Sequence, residues 1–266
     1  MESIADYDFI RALGEGESGR FYLAVTPPRL GITEPEVAVK VLKSQGDGSA
    51  LRRMTRELRA FSRARSDLIA ALYDAGQEGT ALYYSMRYYP DGSLATAGEM
   101  PAAAVVSAVR DAAEAAHSLH EAGLAHCNIK PSNVLIVPGG GRLADLRLAS
   151  SLTTGMTVTG MAGVGSIEFV DPAVVRGEVA SRSSDVWSLG ATMHRALTGR
   201  SIYPALPDSD PLLAVRRVLQ TTPELDPSLD ESVRGILDRC FSVDLSVRWR
   251  TAHELSAALD ALVVTS

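Results

Sequence analysis

The sequence predicts an α+β fold, with its strands gathered in the first third and its helices in the remainder. Two patterns carry that reading. Up to Tyr88, short runs rich in β-branched and aromatic residues alternate with turn residues, with a single amphipathic helix among them. Beyond Pro90-Asp91-Gly92, apolar residues recur at helical spacing. The chain has 266 residues and is 46% apolar, enough to fill the core of one large domain or of two lobes.

Residues 9–13 and 20–25 read as strands on either side of the stretch Gly14-Glu15-Gly16-Glu17-Ser18-Gly19. A loop from Pro27-Pro28 leads into a third strand, residues 37–42, and the glycines at 46 and 48 break the chain before a helix. On that helix Leu51, Met54, Leu58 and Phe61 share one face, and Arg52, Arg56, Arg59 and Arg63 form a stripe on the other. Asp74-Ala75-Gly76 reads as a turn ahead of a strand at 81–88. Val105, Val109, Ala112, Ala116 and Leu119 mark a helix closed by Gly123. A strand at 134–137 turns through 138–141 into 142–145. Residues 150–166, rich in Ser, Thr and Gly, show no periodicity and read as a surface loop. Helices are expected near 184–198, 210–220, 230–241 and 251–263.

The net charge of -6 argues against nucleic acid as a partner, because polyanion binding needs a basic surface. Cys127 and Cys240 lack metal-ligand spacing, and neither a disulfide framework nor a secretory leader is suggested. Nor is there a run of about 18 apolar residues that could span a membrane. The chain is expected to be cytoplasmic, or the cytoplasmic part of a longer, membrane-anchored protein. Among 26 basic residues only Lys40, Lys43 and Lys130 are lysines, so each lysine calls for a reason.

Gly14-x-Gly16-x-x-Gly19 alone is a weak signal, since the same spacing opens dinucleotide-binding βαβ units and phosphate-covering hairpins, and also suits an ordinary hairpin turn. A dinucleotide motif must start a helix, whereas residues 21–25 read as a strand, which favours a hairpin. Further along, Val37-Ala38-Val39-Lys40 places a lysine on a strand, with Glu57 on the helix that follows. His126-Cys127-Asn128-Ile129-Lys130-Pro131-Ser132-Asn133 is followed, twelve residues after Asn133, by Asp145-Leu146-Arg147. Ser184-Asp185-Val186-Trp187 and Arg248 complete an ordered series.

Over residues 8–262 this series resembles the bacterial, eukaryotic-like (Hanks-type) Ser/Thr protein kinase family, in a degenerate, pseudokinase form. The resemblance implies a two-lobed fold: a small antiparallel β-sheet lobe with one helix at 1–87, and a larger, mainly α-helical lobe at 88–266. It implies ATP with magnesium, or manganese, in the cleft between lobes. Gly14, Gly16 and Gly19 would cover the phosphates, Lys40 would reach them while held by Glu57, and Asn133 and Asp145 would bind the metal. Ala38, Met86 and Tyr88 would line the adenine pocket, with Met86 as gatekeeper and Arg87, Tyr88 and Tyr89 as the hinge. Phe61, Leu72, His126 and Leu146 would form an apolar spine. Ser184 to Gly190 would belong to the helix that anchors the catalytic loop.

The departures from the family pattern carry the functional argument. Asn128 stands where an active kinase has the aspartate that accepts the substrate hydroxyl proton, beside a retained Lys130. General bases contribute about 10²–10⁴ in rate, roughly 3–5 kcal/mol of barrier. Cys127 replaces an arginine that grips a phosphate on the activation segment, and Arg147 replaces the glycine after the metal-binding aspartate. Asp171-Pro172-Ala173 replaces Ala-Pro-Glu, which is expected to deprive Arg248 of its buried carboxylate. The expectation is a nucleotide-binding regulatory or scaffolding module. The alternatives are a Ser/Thr kinase of low residual activity and a scaffold that ignores nucleotide. A protein partner is expected, either on the Arg52, Arg56, Arg59 and Arg63 face or on a phosphorylated loop carrying Thr153, Thr154, Thr157 and Thr159. Such an arginine stripe is more often simply the solvated side of an amphipathic helix, and the loop could equally lack any regulatory role.

Overall fold

The computed structural model describes residues 2–16, 19–45, 52, 55, 56, 58, 59, 61, 64, 66–145, 164–204, 206, 207 and 210–265. The chain divides into two compact units, Met1–Arg63 with Ala70–Pro90, and Ala64–Ile69 with Asp91–Ser266. Residues 64–69, placed with the first lobe on sequence, therefore cluster with the second unit.

The first unit is an antiparallel sheet of β1 (Ser3–Ile4), β2 (Tyr7–Glu15), β3 (Gly19–Val25), β4 (Glu36–Gln45), β5 (Leu72–Glu78) and β6 (Ala81–Arg87), in the order β1-β2-β3-β4-β6-β5. Ile4, Tyr7, Ala24, Val37, Val39 and Tyr83 form a core on one face. The buried Tyr7 hydroxyl bonds Ser85 Oγ at 2.8 Å and donates to Asp74 Oδ2 at 3.0 Å; burial pushes its pKa up to about 12. Arg29 bridges Asp6 and Asp74, tying the β3–β4 connection to the sheet.

The turn expected at Asp74-Ala75-Gly76 is instead part of β5. Gly76 sits opposite Tyr83, and a Cβ there would lie 2.5 Å from the Tyr83 hydroxyl, so the glycine makes room for a cross-strand ring. Turn-like composition misleads here because the residue serves packing rather than a bend. The helix expected after β4 is described only at residues 52, 55, 56, 58, 59 and 61, all helical, with Phe61 buried and Arg52, Arg56 and Arg59 exposed. Leu51, Met54 and Arg63 lie outside the described residues.

The second unit is organised around α1 (Ala102–Glu121), whose Val105, Val109, Ala112, Ala116 and Leu119 are buried as the spacing required. Against it pack β7 (Val134–Val137) and β8 (Gly140–Leu143). A Cβ on Gly141 would stand 2.8 Å from the Ala108 carbonyl, so only glycine lets this hairpin meet the helix so closely. A short α2 (Pro172–Val175), capped by the Asp171 side chain accepting from Ala173 N–H, was not evident in the sequence. α3 (Arg182–Thr198) starts where Ser181 N–H donates to Ser184 Oγ and stops at Gly199, whose φ of 68° only glycine adopts readily. α4 (Pro211–Gln220), α5 (Glu231–Cys240) and α6 (Ala252–Thr265) follow. Ile167, Phe169, Val175, Trp187, Ile202 and Tyr203 belong to one core cluster of this unit.

Candidate functional site

In the first unit, β2 and β3 form the hairpin whose tip carries the three glycines. Gly16 N–H donates to the Gly19 carbonyl at 2.8 Å, closing the tip. A Cβ on Gly19 would lie 2.3 Å from the Val41 carbonyl oxygen, so a side chain there is excluded by the neighbouring strand. Gly14 has a φ of 156°, a backbone that other residues rarely adopt. The acid at the loop base, Glu15, is held by Arg20 at 2.7 Å and by Lys43 at 3.0 Å, which bring its pKa down to about 2. Lys43, one of the three lysines, thereby has its reason: together with Arg20 it balances a carboxylate at the base of the glycine loop.

Lys40 lies on β4 between Phe21 and Tyr84 in the strand register and is 1% exposed. Its Nζ sits 4.8 Å from the Phe21 ring centroid and 5.8 Å from that of Tyr84. Glu57, expected to hold it, lies outside the described residues. Ala38 and Met86 are cross-strand neighbours and both are buried, and Leu72 also pairs with Met86, which places the expected gatekeeper beside the expected adenine wall. Tyr88 is half-buried and its hydroxyl accepts from Arg11 at 3.0 Å.

The second unit carries the loop from His126 to Asn133, and it hangs on Asp185. That fully buried carboxylate of α3 accepts from the His126 N–H at 2.7 Å and the Cys127 N–H at 2.9 Å, and lies 2.8 Å from His120 Nε2. Cys127 is consequently held at a φ of 60°, unusual for a residue with a side chain. His126 is fully buried and structural: its Nδ1 accepts from Asn128 N–H at 3.3 Å, so Nε2 carries the hydrogen and donates to the Ala144 carbonyl at 3.2 Å. Burial lowers its pKa and keeps it neutral.

Asn128, Asn133 and Asp145 are brought together. Asn133 donates from Nδ2 to the Asn128 carbonyl at 2.7 Å, and its Oδ1, which accepts from Ser132 Oγ at 3.3 Å, keeps a second lone pair for a ligand. Asn128 Nδ2 donates to the Asp145 carbonyl at 3.2 Å. Asp145 itself adopts a φ of 57°, a left-handed conformation that Asp tolerates better than most residues. One amide oxygen and one carboxylate are the hard oxygen donors that a magnesium ion accepts when phosphates and water complete its shell, so the residues fit such an ion. Lys130 donates to Ser166 Oγ at 2.7 Å. Ser166 was missed in the sequence because it ends a Ser- and Thr-rich run in which no single hydroxyl stands out. Leu146, Arg147, Thr153, Thr154, Thr157 and Thr159 lie outside the described residues.

One expectation needs correcting. Arg248 keeps a buried carboxylate partner: its Nη1 donates to Asp171, two residues before the alanine that replaces the usual glutamate. Arg248 also donates from Nε to the Ser242 carbonyl at 2.8 Å and lies over the Trp187 ring. The acid has moved along the chain and the pair survives, because Asp171, at the N-cap of α2, lies within the shorter reach of an aspartate.

A glycine hairpin, a buried strand lysine, and an aspartate-anchored loop followed by Asn133 and Asp145 define a protein kinase domain, and the chain belongs to that family, whose pattern matches residues 7–258. It is 31% identical to the serine/threonine-protein kinase AfsK of Streptomyces coelicolor, over 92% of this chain and 30% of that protein. It is 27% identical to the serine/threonine-protein kinase PrkC of Bacillus subtilis, over 94% of this chain and 39% of the relative. With PknA of Mycobacterium tuberculosis, another serine/threonine-protein kinase, identity is 28% over 96% of this chain and 61% of the relative. The chain thus spans less than two thirds of each of these relatives. Among the described residues no helix is long and apolar enough to cross a membrane.

Proposed function

We propose that this kinase-family chain is a pseudokinase that binds ATP with magnesium and uses the bound state to regulate or scaffold a signalling protein. The observation that carries the reading is Asn128. Its side chain, at the position the family pattern gives to the proton acceptor, is engaged as a hydrogen donor, and this reading assigns Lys40, Asn133 and Asp145 to nucleotide and metal. An amide does not take up a proton at neutral pH, so general-base help is lost. In this reading magnesium would neutralise the phosphates. Lys40 supplies a point charge toward them, and the glycines let the hairpin backbone approach. The partner is a protein, docked on the face bearing Arg52, Arg56, Arg59 and Arg63 or on a phosphorylated Thr153–Thr159 segment.

A second reading, a Ser/Thr kinase of low activity, is favoured by the Lys130 to Ser166 contact and by the anchoring of the loop on Asp185. Phosphoryl transfer depends mostly on positioning and charge, which these contacts preserve. Thermal melting with ATP and magnesium, run beside a phosphate-transfer assay, separates the readings. The pseudokinase shows a rise in Tm that Lys40→Met abolishes, and no transfer. Transfer that Lys40→Met removes would establish the kinase, and no shift with magnesium or manganese would leave a scaffold that ignores nucleotide.

A further inference from the structure

Two successive carbonyls on the chain entering the metal position each receive a hydrogen from the loop carrying Asn128. His126 Nε2 donates to Ala144 O and Asn128 Nδ2 donates to Asp145 O, both at 3.2 Å. In the reverse direction Ala144 N–H donates to the Asn133 carbonyl at 2.8 Å. These bonds stitch residues 144 and 145 to the loop on either side of a backbone turn that sets Asp145 at a φ of 57°.

Chemistry fixes which end of the Asn128 amide faces Asp145. Its oxygen, turned toward the carbonyl, would set two acceptors against each other at this distance, so the nitrogen end points there. We infer that Asn128 is a positioning residue whose amide hydrogen holds the main chain of Asp145, and through it the carboxylate aimed at a divalent cation. The inference rests on the proposal that Asp145 binds magnesium. A carboxylate cannot make this bond: ionised aspartate only accepts, and at residue 128 it would face the Asp145 carbonyl with nothing to donate. Residue 128 therefore cannot keep this strap and serve as an ionised base in the same conformation. Asn128→Asp accordingly supplies a base only by giving up the bond that orients the metal ligand, so its gain falls short of the full general-base contribution.

The test uses the whole chain with Asn128→Asp and Asn128→Ala. Backbone amide exchange is read residue by residue without nucleotide, and melting is compared for ATP with magnesium against ATP with EDTA. In both variants exchange at Ala144 should rise about three- to tenfold, the worth of one hydrogen bond, while the His126 and Cys127 amides held by Asp185 stay protected. The metal-dependent part of the ATP shift should shrink in both variants, more in Asn128→Asp because of the opposed oxygens, with the metal-free part unchanged. Unaltered exchange at Ala144, or an undiminished metal-dependent shift in both variants, overturns the inference. A wild-type chain without any ATP shift sinks the nucleotide reading instead, and the exchange data still decide whether the strap exists.

Discussion

Asp171 and Arg248 show how a single-residue departure can be absorbed. With side chains only 5% and 4% exposed, the two charges sit where water cannot compensate either one alone. Removing the acid in Asp171→Ala should cost roughly 3–5 kcal/mol, read as a fall in the urea midpoint. Adding Ala173→Glu to that variant should recover part of the loss, with the remainder reflecting the vacated α2 cap. The clue was in the sequence: an aspartate inside the otherwise apolar run from Phe169 to Val175. What the sequence could not supply was its reach to a residue 77 positions away.

Two histidines predict a pH response. His194 accepts from Asp226 N–H on Nε2 at 3.0 Å and donates from Nδ1 to the Arg200 carbonyl at 3.2 Å, so a second proton would meet a donor. Burial lowers its pKa, as it does that of His126. The folded state thus binds fewer protons than the unfolded one, and stability rises with pH. The contribution is complete above the usual value of 6.5 and is lost as pH falls through the folded values. Urea midpoints should decline from pH 7 to pH 5, and His194→Phe should flatten that decline while lowering stability at pH 7. The exposed His253 acts oppositely, since hydrogen bonding to Glu114 raises its pKa.

At the scale of elements, strands and helices with regular apolar spacing were legible, and elements shaped by a distant partner were not. The 3.6-residue pattern of α1 and the capped ends of α3 are local signals and survive folding unchanged. β5 was hidden because Gly76 answers to Tyr83 on the next strand, a fact with no local trace. Gly76→Ala should therefore destabilise by about 1–3 kcal/mol through overpacking, and Tyr83→Val should relieve most of that cost in the double variant, as thermal unfolding would report. Gly19→Ala has no such remedy, since its obstacle is the Val41 backbone. The spacing of Asn128, Asn133 and Asp145 made the candidate site readable. The roles of Ser166 and of the Asn128 amide depend on contacts across 36 and 17 positions, and no sequence interval announces them.

For the whole molecule, the parts split by chemistry. In the proposed reading, the groups that would hold an anion or a cation are kept, in Lys40, the glycine hairpin, Asn133 and Asp145, and the group that would accept a proton is replaced. The framework under the loop is also kept, from the Asp185 anchor to the relocated partner of Arg248. Such a combination suits a module that reports nucleotide occupancy more than one that turns substrate over. The most direct measurement is to load the purified chain with γ-labelled ATP and magnesium in the presence of a Ser/Thr protein substrate, then recover the bound nucleotide and the proteins separately. The account predicts intact ATP bound to the wild-type chain, none bound to Lys40→Met, and no label on protein. Labelled phosphoserine or phosphothreonine that appears with the wild-type chain and vanishes with Lys40→Met would contradict it.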